Sequence, residues 1–192
     1  MRKIMASLDI GYNSIKFIVT ETSRNNVYVL SSSITPNDSY SLETGINLDI
    51  LETLLKKIIS DTEGKLGITI RKTILTIPTS SASFTVNYAR TNIKNEEHLV
   101  SVSDVSRVVN LAGKNVIQDN MELVNITPLY FILDNEQKTL EPVNTFSKTL
   151  EVKALVTSSL KSDIYRMIEV LEHLGVSVID ISYDEIGEYF NS

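Results

Sequence analysis

The stretch Leu8-Asp9-Ile10-Gly11-Tyr12-Asn13-Ser14-Ile15-Lys16 has residue types and spacing that could do chemistry. An apolar run ends in a carboxylate, followed by glycine, small polar residues and a lysine. That order suits a phosphate cradle. Glycine lets backbone approach an oxyanion closely, and successive N–H groups in a turn form an anion-binding concavity. Asn13 and Ser14 add donors, Lys16 adds a cation, and Asp9 could orient a hydrated magnesium ion. The candidate cofactor-binding set is therefore Asp9, Gly11, Tyr12, Asn13, Ser14 and Lys16, with Asp9 also the candidate metal contact, through water. The loop is followed by a strand-like run, Ile15–Val19. Rossmann and Walker phosphate loops instead open a helix and use its N-terminus, so neither applies. The bare string also reads as a plain β-turn, since Asp and Gly are default turn residues.

Other chemistry is thinly represented. The chain has no cysteine, which excludes disulfides and thiolate sites, and its two histidines, His98 and His173, argue against a multi-histidine metal centre. Neither histidine accompanies a Gly-x-Ser-x-Gly serine, so no hydrolase triad is expected and no catalytic residue is assigned. A net charge of −6 lacks the basic footprint of a nucleic-acid binder. Asp180, Asp184, Glu185 and Glu188 read as a solvated acidic face. Tyr130 and Phe131, adjacent on a strand, should face opposite ways, one to the core and one to the surface. The apolar run after Met1-Arg2-Lys3 stops at Asp9, too short for a signal peptide, and no run is long enough to span a membrane. A cytoplasmic protein is expected.

These residues must be positioned by the surrounding elements. Ile4–Leu8, Ile15–Val19 and Val27–Leu30 are three short β-rich runs separated by turn signals, a meander of hairpins. Pro36–Gly45 reads as loop. Asp49 opens a helix, since Leu51, Leu54, Leu55, Ile58 and Ile59 recur at helical spacing, and Gly64 and Gly67 end it. Thr73–Ile77 is a strand closed by Pro78. The composition shift at Thr79–Ser83 marks a domain boundary. A strand follows at Phe84–Ala89, then a helix capped by Ser103 with an apolar face of Val105, Val108, Val109, Ala112 and Val116. Leu123–Leu133 is a strand that Pro128 makes an edge or a bulge, Asp134-Asn135 a turn, and Leu150–Thr157 another strand. Ser162 caps a last long helix with Ile164, Met167, Ile168, Leu171 and Leu174 buried. Gly175 ends it, Val176–Ile181 is a strand, and Asp184–Phe190 begins another helix.

Strand, Asp-Ile-Gly-x-x-x-x-Lys, strand, strand, helix resembles the first phosphate motif of the actin-like ATPase superfamily. Glu43–Ile50 resembles the segment that enters the first helix of the bacterial cell-division FtsA family. Ile126–Asp134, with its internal proline, Pro142 beyond it and the strand Leu150–Ala154, is similar to the corresponding FtsA strands. Ile168–Val176 is similar to the FtsA helix that leads back into the nucleotide domain. The resemblance covers essentially the whole chain, and its strand–helix–strand–strand middle block matches the subdomain that distinguishes FtsA from actin.

The resemblance implies an α/β fold: an incomplete actin-like (ribonuclease-H-like) nucleotide subdomain at 1–79 and 159–192, and an inserted α+β interaction subdomain at 80–158. It implies ATP and magnesium binding in the intact protein, with at most a weak ATPase activity. It further implies self-association, attachment of FtsZ filaments to the membrane at the division site, and later division proteins as partners of the inserted block. Family members often carry Thr or Ser where this chain has Tyr12. The second phosphate motif, the adenosine motif and the C-terminal membrane helix do not occur here, so an N-terminal fragment without tightly bound nucleotide is expected. A pilus-assembly adaptor of the PilM type and an actin-fold small-molecule kinase are the alternatives.

Overall fold

Ala6, Leu8 and Ile10 are buried and alternate along the first strand with Met5, Ser7 and Asp9. Successive strand residues point to opposite faces, so one face of this strand goes to a core. The computed structural model describes residues 3–24, 26–41, 43, 45–78, 82–114 and 116–183. The chain folds as two compact units, one from the described residues up to Pro78 and again from Ser162, the other Ala82–Lys161. In the first, β1 (Lys3–Ile10), β2 (Ser14–Ser23) and β3 (Asn26–Pro36) form an antiparallel meander. A small ladder of β4 (Tyr40–Ser41) and β5 (Gly45–Ile46) leads into α1 (Leu48–Leu66). Asn47 caps that helix, its side-chain oxygen accepting from the N–H groups of Asp49 and Ile50. Gly67 ends it with φ 64°, a left-handed conformation that glycine adopts without a Cβ penalty. β6 (Lys72–Ile77) then lies parallel to β1.

The second unit begins with β7 (Ala82–Asn92), followed by α2 (Val102–Ala112) and three strands, β8 (Met121–Leu133), β9 (Lys138–Thr139) and β10 (Thr149–Leu160). Its antiparallel sheet has the order β7-β10-β8-β9. One face packs on α2 through a core that includes Val108, Ala112, Phe131, Leu150, Val152 and Ala154. A capping box holds the helix start: Ser101 Oγ accepts from the Asp104 N–H, and the Asp104 carboxylate accepts from the Ser101 N–H. Arg107 also pairs with Asp104 and reaches Thr91 Oγ1 (2.9 Å) and the Asn92 carbonyl (3.0 Å), tying helix to strand. Burial alone would raise the Asp104 carboxyl, but bonds from the Ser101 side chain and backbone, and then Arg107, outweigh it and hold the pKa below its ordinary value. Such a group stabilises the fold above the ordinary carboxylate pKa of about 3.9, and the contribution is lost as pH falls through the depressed value. Asp104→Ala should therefore cost about 1–2 kcal/mol at neutral pH. Thermal melts at pH 7 and at progressively lower pH check this: the gap between wild type and variant should close only in strong acid.

The chain then enters α3 (Lys161–His173) and β11 (Ser177–Tyr183), which pairs in parallel with β6. The first unit's sheet has the order β11-β6-β1-β2-β3. Leu8 stands beside Phe17 and Leu75, and its core face also carries Ile10, Ile15 and Ile77, all buried. Leu51, Leu55, Ile58 and Ile59 of α1 and Ile164, Met167, Val170 and Leu171 of α3 are the buried apolar helix residues of this unit. Each large apolar side chain so buried contributes about 1.5–3 kcal/mol relative to exposure.

Several boundaries differ from the sequence reading. Asn47, not Asp49, starts α1, and Gly64 lies inside it. Ser101, not Ser103, caps α2, and Val116 lies beyond its end. No separate cap precedes α3, because β10 runs straight into it and Ser162 is already helical. Within α3, Val170 takes the buried place expected of Ile168 and Leu174. The stretch after Pro36 contains the two short strands β4 and β5 rather than loop alone. Pro128 does sit at a bulge, and β9 pairs with β8 at Phe131 and Ile132, not at Pro128. Gly175 (φ 76°) closes α3, and the Val176 N–H bonds back to the Leu171 carbonyl. The expected helix Asp184–Phe190 and Asp184, Glu185 and Glu188 of the acidic face lie outside the described residues.

Candidate functional site

All six candidate residues lie on the β1–β2 hairpin. Asp9 is the penultimate residue of β1, the central strand, where parallel pairing with β6 gives way to antiparallel pairing with β2. Asp9 thus lies at the carboxyl end of a strand, and the carboxyl ends of the strands are where open α/β sheets place ligands. Asp9 is directly opposite Lys16, and Lys16 Nζ donates to Asp9 Oδ2 at 2.9 Å. The Asp9 side chain is 19% exposed and that of Lys16 57%. The second carboxylate oxygen, Oδ1, is buried and has no hydrogen-bond partner among the described residues. A buried carboxylate oxygen left unpaired costs free energy. A hydrated cation or a donor group on a ligand would satisfy it.

The turn is tightly made. The Gly11 N–H donates to the Ser14 carbonyl at 3.0 Å, so it closes the hairpin and is not a phosphate donor. A Cβ on Gly11 would come within 3.0 Å of that same oxygen, which is the local reason for glycine there. Asn37, itself buried, straps the turn from β3: its backbone N–H donates to the Asn13 carbonyl and its Nδ2 to the Gly11 carbonyl (2.7 Å). Ser39 holds the Asn37 side chain in turn. Tyr12 stacks on Tyr40, ring centroids 4.5 Å apart and tilted 52°, with its hydroxyl buried and unpartnered among the described residues. The two rings border a cavity of about 280 Å³, whose other walls include Ile46, Ile77, Pro78 and Arg166. Asn13 is exposed at the turn tip, and Ser14 pairs with Pro36 of β3.

The donors present fit a hydrated magnesium ion and an anion in part. Asp9 offers an unsatisfied oxygen, Lys16 a cation and Asn13 an exposed amide side chain. No group of three or more His, Cys, Asp or Glu side chains that could hold a metal occurs among the described residues. Magnesium keeps most of its waters, so one carboxylate with ligand phosphates is an adequate protein contribution. His173 Nδ1 lies 3.8 Å from a Glu52 oxygen, and His98 packs edge-on against Phe146.

Sequence reasoning did not find two neighbours of Asp9. Thr76 on β6 lies directly beside it, and Ser182 on β11 lies beside Thr76. Lys16, Asp9, Thr76 and Ser182 thus form a polar row across four strands, on the face opposite the core residues. Asn37 and Ser39 were also missed, sitting in what reads only as polar loop. Tyr130 and Phe131 behave as expected, Phe131 buried in the second unit's core and Tyr130 on the outer face.

The family model of the SHS2 domain inserted in FtsA matches residues 80–158. Over most of its length the chain is also similar to curated FtsA proteins. Cell division protein FtsA of Bacillus subtilis (strain 168) is 24% identical over 181 residues, covering 93% of this chain and 41% of that protein. FtsA of Streptococcus pneumoniae is 23% identical over 174 residues, 91% of this chain and 38% of that protein. The chain therefore spans about two fifths of the length of these FtsA relatives. A solved PilM–PilN type IV pilus biogenesis complex superposes with a TM-score of 0.59, over 97% of this chain and 49% of that one, at 12% identity. That likeness bears on fold alone. The fold is α/β and actin-like, and the residues matched by the SHS2 model, 80–158, lie between the end of β6 and the end of β10. No helix among the described residues is long and apolar enough to cross a membrane.

Proposed function

We propose that this chain is the first-subdomain and inserted-subdomain part of an actin-like cell-division protein working as FtsA does. In this reading the β1–β2 hairpin forms one half of a Mg-ATP site. Lys16 and the exposed turn tip meet phosphate, and Asp9 orients magnesium-bound water. The intact protein polymerises, links FtsZ filaments to the cytoplasmic face of the membrane at the division site, and receives later division proteins on the inserted unit, residues 80–158.

The observation that carries this reading is the order of parts. The match to FtsA relatives extends over 93% of the chain, and the residues matched by the SHS2 model fall between β6 and α3, where the chain leaves and re-enters the first unit. A pilus-assembly adaptor shares the fold, and an actin-fold kinase would lack the insertion. A fluorescent fusion of the gene product, imaged in its own dividing cells, tests the proposal. A band at the division plane that disappears on FtsZ depletion is the expected result. Polar foci or diffuse signal would reject it.

A further inference from the structure

The second unit's sheet has one face on α2 and one face open. Register places Val86, Tyr88 and Arg90 of β7 on the open face beside Leu155, Lys153 and Glu151 of β10. Tyr130 and Ile132 of β8 continue the same rows, with Lys138 of β9 beyond. Val86 is 49% exposed and Tyr88 51%, so apolar side chains on this face are accessible among its charges. Its charges are cationic: among the described residues just named, Arg90, Lys138 and Lys153 stand against the single carboxylate of Glu151. This is a local reversal in a chain of net charge −6.

The lysines are held in a particular way. Lys153 Nζ lies 5.6 Å from the ring centroids of both Tyr88 and Tyr130, and Lys138 Nζ lies 4.6 Å from the Tyr130 centroid. An ammonium group over a tyrosine face is attracted by the ring but keeps its full charge. The Tyr88 hydrogen bond, and next the Tyr130 phenol, favour the charged form of Lys153. Two cations resting on two tyrosines, with aliphatic side chains alongside, form a surface for alternating carboxylate and apolar groups. Tyrosine is enriched at protein interfaces because it supplies large, rigid contact area with a polar tip.

We propose that this face, centred on Tyr88, Lys153, Tyr130 and Lys138, docks an acidic, apolar-rich extended segment of a partner protein. The occupant is fixed by charge: a basic partner would meet two ammonium groups, and a neutral apolar one would leave them unpaired. The inference rests on the reading of the inserted unit as a partner-binding module and names the chemistry of that partner.

A charge-swap titration tests it. The whole 192-residue chain, ¹⁵N-labelled, is titrated with a seven-residue peptide alternating Glu with Leu and Phe, and with the same peptide carrying Lys for Glu. The Glu peptide should perturb β7, β8 and β10 signals, and the Lys peptide should bind at least about tenfold more weakly. Lys138→Gln/Lys153→Gln should weaken the Glu peptide about tenfold, and Lys138→Glu/Lys153→Glu should reverse the preference. Both pairs are surface changes, so thermal midpoints should stay near wild type, which keeps the result readable. Absence of binding, equal binding of both peptides, a preference unmoved by charge reversal, or perturbation arising only from self-association of the chain would each overturn the proposal. Division-plane localisation is read separately, so loss of the broader function and loss of this docking face are distinguishable.

Discussion

Replacing Ala82–Lys161 with a short Gly/Ser linker should leave a folded, cooperatively melting first unit that has lost partner binding. The chain leaves this unit after β6 and re-enters it at α3, and the two points lie close together. Ile77 and Pro78 on the exit side, and Asp163, Arg166 and Met167 on the return side, line the same cavity. The returning β11 completes the sheet by pairing with β6 from Ser177 to Tyr183. The core of Leu8, Phe17, Leu55, Leu75 and Leu171 lies wholly within this unit. Insertions and excisions are tolerated where chain ends are adjacent and the parent core is untouched. The excised chain should keep native-like circular dichroism with a single sharp transition. A broad, non-cooperative melt would mean that the first unit depends on the inserted one.

Asp9→Asn should abolish nucleotide-linked signals while leaving the fold as stable as before, or more so. The ion pair that Asp9 makes is to a lysine that is 57% exposed, and such pairs contribute about 0–1 kcal/mol. Against that small gain stands a buried carboxylate oxygen without a partner, whose desolvation costs about 1–3 kcal/mol. Removing the charge therefore costs little, and the melting temperature should hold or rise by about 2–4 °C. Affinity for Mg-ATP should fall at least about tenfold, or 1.4 kcal/mol. Paired melts and titrations separate the two roles. A midpoint lowered by several degrees with affinity unchanged would make Asp9 a structural turn residue.

The strands of both units were legible because their apolar residues alternate, as in Ala6-Ser7-Leu8-Asp9-Ile10. They were read too short where polar residues continue the ladder. Ser31, Ser32 and Ser33 pair with β2 through backbone hydrogen bonds that no side-chain pattern announces. The Ser101 cap was readable, since Ser101-Val-Ser-Asp104 has capping-box spacing, but Ser103 competed as an equally good capping type. At the site, the Asp9–Lys16 pairing follows from a tight hairpin, whereas Thr76 and Ser182 enter only through the register of parallel strands far apart in sequence. The use of the Gly11 N–H within the hairpin was likewise invisible. An unpaired turn and a closed one have the same sequence.

Titration of the ¹⁵N-labelled chain with Mg-ATP asks most directly whether the β1–β2 hairpin faces phosphate. With the Gly11 N–H committed to the Ser14 carbonyl and Lys16 held by Asp9, the hairpin alone offers few contacts. Binding should be weak, with Kd on the order of 1 mM, and the shifted signals should cluster at residues 9–16 and extend to Thr76. Signals that move elsewhere with the hairpin unchanged, or no change at saturating nucleotide, would contradict the assignment of this hairpin as the phosphate-facing element.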